Sequence, residues 1–145
     1  MKNLFSKSNF LIIAPLAIVM VLDGVFTMAG QSEAYWQNYA LFNEGSPLGQ
    51  SLMLNPAYFI SFFIAYVVLV SILVVSLKRP LNVIVWLGFF LGHAWGGSTW
   101  APRIFFDLTG IAANIDRWYL VVGYFVLIAA ISGLFVNKWL KLKGV

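Results

Sequence analysis

Apolar residues fall into four long runs, at about 9–29, 56–77, 81–101 and 117–138. A helix needs about 20 apolar residues to cross the hydrocarbon of a bilayer, and each run is long enough. No formal charge interrupts the interior of three of them, and the first carries only Asp23. The pattern predicts an all-α integral membrane protein, a single domain over residues 1–145 with four transmembrane helices in a compact bundle. Lys2 and Lys7 before the first run resemble a signal peptide, and Thr27-Met28-Ala29 loosely fits a cleavage site. The length of the run and Asp23 near its end favour a retained helix, kinked at Pro15 where a backbone donor is missing.

Punctuation residues fit these boundaries. Asn55-Pro56 reads as an N-cap followed by proline in the first helical turn. Lys78, Arg79 and Pro80 make a tight turn between the second and third runs. Pro102 is expected to end or bend the third helix, and Asn114 or Asp116 to cap the fourth. Between the first two runs lies a stretch of 26 residues, 30–55, which allows a short interfacial helix. Tyr35, Tyr39 and Phe42 share one face of such a helix, beside Trp36. Two readings follow: an aromatic belt at the membrane surface, or a lid over a site, drawn from Glu33, Trp36, Tyr39 and Glu44.

Small residues suggest where helices meet. Ala57, Ser61 and Ala65 recur every four residues in the second run. Gly88, Gly92 and Gly96 do so in the third, a doubled GxxxG pattern. Such stripes let two backbones approach closely, or leave room for a ligand.

Composition reinforces the membrane assignment. The chain is 61% hydrophobic and only 10% charged, with a mean hydropathy of +0.88. Globular proteins carry about 25% charged residues, and a domain this small has too much surface to hide such apolar content from water. The net charge of +4 is distributed by topology. With four spans, Lys2, Lys7, Lys78, Arg79, Lys138, Lys141 and Lys143 fall on one side, and Arg103 and Arg117 on the other. The positive-inside rule then places both termini in the cytoplasm of a cell membrane, of bacterial inner-membrane type. Nucleic acid is not an expected partner. Membrane lipids are, together with further copies of the chain or partner membrane subunits. The sequence has no cysteine, so disulfides, thiolate nucleophiles and iron–sulfur clusters are excluded. One histidine and scattered carboxylates give no metal-ligand spacing, and no cofactor is implied.

The densest chemistry lies in 93-HAWGGSTWAPR-103, which supplies His93, Trp95, Ser98, Thr99, Trp100 and Arg103. Counting at 1.5 Å per residue puts His93 about 12 Å below the end of its run, and Asp23 about 9 Å below the corresponding end of the first. The two are at compatible depths. An aspartate in a membrane segment costs about 2.5–3.5 kcal/mol at mid-span, so it should face the bundle and have a partner. Thr27 extends the polar face of the first helix. An Asp23–His93 pair would fix the imidazole tautomer and could bind a polar group or move a proton. Against that stand two plainer readings: Asp23 as a structural anchor, and His93 as a packed side chain. The expected function is binding or translocation of a small molecule, ion or lipid headgroup through an outward-facing pocket between the first and third helices. The alternatives are an accessory or assembly subunit without its own chemistry, and a membrane enzyme with Asp23 and His93 as acid and base. No nucleophile, phosphate-loop or dinucleotide motif favours an enzyme.

Overall fold

A computed structural model describes residues 6–109 and 117–143, with Leu108 and Lys143 as backbone only. All regular structure among these residues is helical. The order is α1 (Lys7–Ala29), α2 (Glu33–Gln37), a 3₁₀ turn (Tyr39–Leu41), α3 (Pro47–Met53), α4 (Pro56–Ser76), α5 (Leu81–Thr109) and α6 (Arg117–Lys143). Three of these helices, α1, α4 and α6, are long and apolar enough to cross a membrane. α5 is longer, but Asn82, His93 and several glycines break its apolar character.

Capping follows the sequence. Ser6 accepts from the Asn9 amide at the start of α1, and Ser46 from the Gly49 amide at α3. Asn55 accepts from the Ala57 amide, with Pro56 opening α4. Each satisfies a backbone donor that a helix end leaves bare. The cap expected at Asn114 or Asp116 lies outside the described residues. Pro102 does not end α5 at residue 101; the helix continues to Thr109 with the proline buried inside it. Its ring removes one backbone bond, while Ala94 and Ala101 hold the preceding turns against α1 and α6.

α1 and α5 form the centre, with α4 on one flank and α6 on the other. Leu16 and Met20 of α1 meet Val70 and Val74 of α4, with Trp86, Phe89 and Phe90 of α5 beside them. On the other flank Val19 meets Ala94 of α5 and Tyr124 and Ile128 of α6. Trp139 near the end of α6 donates to Ser8 at the start of α1 at 3.0 Å, and Arg79 lies over the Trp139 ring at 5.5 Å. The α4–α5 turn and the two ends of the bundle therefore share one side, called here the terminal end. Residues 30–55 cover the opposite, loop end. There Tyr35 is fully buried with Met53 and Phe59, and its hydroxyl donates to the Met53 carbonyl at 3.0 Å.

The small-residue stripe of α4 does not face its neighbours. Ala57, Ser61 and Ala65 are exposed, and α4 packs instead through Phe59, Phe63, Val70 and Val74. The close approach comes from α1, where a Cβ on Gly24 would stand 2.6 Å from the Phe63 ring. A ring against a glycine buries more area than two small residues would, which decides the face.

Candidate functional site

Asp23 and His93 meet. The Asp23 Oδ2 is 2.7 Å from His93 Nδ1, and both side chains are 16% exposed. The other ring nitrogen, Nε2, is 3.2 Å from the Tyr66 hydroxyl of α4. Three helices thus contribute to one hydrogen-bonded chain, Asp23–His93–Tyr66. An ionised Asp23 only accepts, so Nδ1 carries a proton. With a neutral ring, Nε2 accepts from Tyr66; with a protonated ring it donates, and the Tyr66 hydroxyl is released to donate elsewhere.

Glycine makes room for the carboxylate. A Cβ on Gly96 would lie 2.6 and 2.7 Å from the two Asp23 oxygens. Next to it, a Cβ on Gly97 would collide with the Tyr124 hydroxyl, which is buried with no hydrogen-bond partner among the described residues. Gly88 and Gly92 behave differently: nothing lies within 4 Å of a Cβ at either. The doubled GxxxG pattern is therefore split. Its last member gives helix contact, and the first two open space.

That space is a cleft of about 1440 Å³ between α1, α4 and α5, reaching to the start of α6. Asp23, His93 and Tyr66 line it together with Gly88 and Gly92, and Phe62, Phe63 and Phe89 form its apolar wall. Toward the loop end it meets Arg103 and Arg117, with Glu44 and Asp107 as the opposite charges. Arg103 is 3.9 Å from Asp107 and lies over the Trp100 ring at 5.8 Å. That ring packs directly on Gly30 at the end of α1.

The remaining predicted positions divide. Thr27, Trp95, Ser98 and Thr99 also line the cleft, but their roles differ. Ser98 is buried and its hydroxyl donates to the Trp95 carbonyl, while Thr99 donates to the Gly96 carbonyl, both at 2.7 Å. These two hydroxyls serve their own helix. Thr27 is buried. Of the four residues expected for a lid, only Glu44 borders the cleft, within a rim that includes Ser46, Leu48 and Gly49. Trp36 and Tyr39 are exposed on the outside of the loop end, and Glu33 opens α2 there. The helix that would have aligned 33–43 breaks at Asn38, whose side chain caps the following 3₁₀ turn.

One contributor was not singled out from sequence: Tyr66 sits in the plainest apolar run, where a hydroxyl needing a partner was its signal. Gln31, which follows Asp23 and Thr27 at i+8 and i+4 on the polar stripe read from the sequence, holds the rim. Its amide donates to the Thr27 and Asn43 carbonyls at 2.9 and 3.1 Å and accepts from the Asn43 amide at 2.8 Å. Among the described residues no group of three His, Cys, Asp or Glu could hold a metal ion.

The chain matches no known protein family, curated protein or solved structure.

Proposed function

We propose that this is a four-span membrane protein, with its termini in the cytoplasm, that binds or translocates a polar or amphipathic small molecule in the cleft. The Asp23–His93–Tyr66 chain on the cleft wall carries the reading. A charged residue in a membrane segment is expensive and is kept where it faces a cavity or a pathway. Here the carboxylate is paired, yet it remains partly open to the cleft. Aromatic walls with a few convergent polar groups are what small-molecule sites present. The apolar wall takes the ligand's body, and Tyr66 and His93 take its hydrogen-bonding head.

The absence of cysteine gives a clean test. Gly92→Cys places a thiol in the cleft, whereas Leu127→Cys places one on the exposed outer face of α6. An impermeant maleimide added outside intact cells should label the first and spare the second. Failure to label position 92 would sink an outward-open cleft.

One observation favours the runner-up, an accessory subunit. The Ala57, Ser61 and Ala65 face of α4 is exposed, and a partner helix could pack on it. On that reading, bulky replacements there, such as Ser61→Leu, disrupt co-purification of a partner while Asp23→Asn does not.

A further inference from the structure

We propose that the terminal end holds a second binding site, for the headgroup of an anionic phospholipid. A separate cavity of about 830 Å³ lies there, bordered by Ser8, Lys78, Arg79, Asn82 and Trp139. Its floor comes from α1 and its apolar walls from α4 and α6, through Ile12, Val75 and Leu140. The acidic residues of the whole chain are Asp23, Glu33, Glu44, Asp107 and Asp116. None occurs in the segments that build this end, 6–22, 70–90 and 130–143. Lys78 and Arg79 therefore border a cavity to which these segments bring no Asp or Glu, and an anionic ligand would meet no carboxylate side chain there.

The cavity is organised beyond simple basicity. Arg79 is set over the Trp139 ring, and that ring is fixed by its 3.0 Å bond to Ser8. The Asn82 Oδ1 is buried and accepts from no group among the described residues. A phosphate would answer the two cations, and a headgroup hydroxyl would answer the Asn82 acceptor once that side chain turns toward the cavity it lines. An acyl chain fits the apolar walls. Phosphate, hydroxyl and chain together describe a phosphatidylglycerol-type lipid of the cytoplasmic leaflet, where basic pockets between helices hold anionic headgroups. The site rests on the membrane placement proposed above but not on the cleft at the loop end.

The test uses the full chain in nanodiscs of phosphatidylcholine containing a minority of phosphatidylglycerol, followed by native mass spectrometry of retained lipid. Wild type should keep one phosphatidylglycerol per chain. Lys78→Gln with Arg79→Gln should weaken retention by roughly thirty-fold, the loss of two basic contacts at a membrane surface. Lys138→Gln with Lys141→Gln removes the same charge outside the cavity and should leave retention unchanged. Asn82→Ala should erase the preference for phosphatidylglycerol over phosphatidic acid, and it carries the test if the double replacement does not fold. Equal retention of phosphatidylcholine, or equal loss in both charge-removing pairs, overturns the site. Displacement of the lipid by millimolar inorganic phosphate would make this a soluble-phosphate site and overturn the lipid assignment. Recovery of a folded chain from buffer without detergent would overturn the membrane placement as well.

Discussion

Gly96 and Gly92 lie one turn apart on α5, and the same substitution at each should move stability in opposite directions. At Gly96 a Cβ would stand 2.6 Å from an Asp23 oxygen, and contacts become ordinary only at 3.4 Å, so the carboxylate must retreat by about 0.8 Å. It is held by a 2.7 Å bond to His93, which cannot survive that shift at full strength. A hydrogen bond to a charged group contributes about 1.5–3 kcal/mol. Low exposure on both partners means little solvent screening. Alanine returns about 1 kcal/mol of helix propensity over glycine. Gly96→Ala should therefore destabilise by about 0.5–2 kcal/mol. At Gly92 the Cβ meets nothing within 4 Å, and Gly92→Ala should be neutral or stabilise by up to about 1 kcal/mol. Thermal unfolding in detergent, followed by circular dichroism, compares the pair directly. If both variants shift the midpoint the same way, the carboxylate is not seated against the α5 backbone and the reasoning fails.

Three further outcomes follow from the same geometry. His93→Ala strips Asp23 of its partner and should cost about 2–3 kcal/mol, below the range for fully buried pairs because of the residual exposure. Adding Asp23→Asn to it should restore most of the loss, and no recovery in the double variant would show that His93 matters for packing alone. Tyr35→Phe removes the bond to the Met53 carbonyl and should loosen residues 30–55 by about 1 kcal/mol, read as faster proteolysis of that segment. Burial, with Tyr39 as a lesser cause, raises the Tyr35 phenol above its ordinary value of 10.0. Its contribution is thus complete below pH 10 and declines as pH climbs through the raised value, so the segment should open in alkali. The alkaline opening should vanish in Tyr35→Phe; an unchanged profile would assign it to another group.

Much of the helical layout was legible because apolar run length and capping residues act locally. Asn55-Pro56 opens α4 as read, and the first two runs, read to 29 and 77, end as helices at Ala29 and Ser76. From sequence His93 was the candidate partner for Asp23, at a compatible depth, while contact between their helices stayed open; the structure brings the two side chains to 2.7 Å. What a periodicity cannot convey is which neighbour a face meets. Ala57, Ser61 and Ala65 formed a plausible seam, but Phe63 against Gly24 decided the rotation of α4. Gly88 and Gly92 looked like Gly96, yet only the last has a side chain opposite it. Pro102 stayed within its helix, buried next to Ala101, whose packing against the α1–α6 core local sequence does not report. The rim kept Glu44 but passed from Trp36 and Tyr39 to Ser46 because the Gln31 amide fastens the chain at Asn43.

Trp86 of α5 donates to the Ile12 carbonyl of α1 at 2.8 Å, on the terminal side of Pro15. Eleven residues farther along α1, about 16 Å, Asp23 grips the same helix through His93. Two fastenings at that separation stop α1 and α5 from sliding or swivelling past one another. They behave as one plank. α4 joins α5 through the short turn at Leu77–Pro80 and touches the polar chain at a single 3.2 Å bond from Tyr66. Any widening of the cleft would therefore fall to α4, swinging about that turn, and it must also lift Phe63 off Gly24. The Tyr66–His93 bond would be its catch, released or tightened by whatever sits in the cleft.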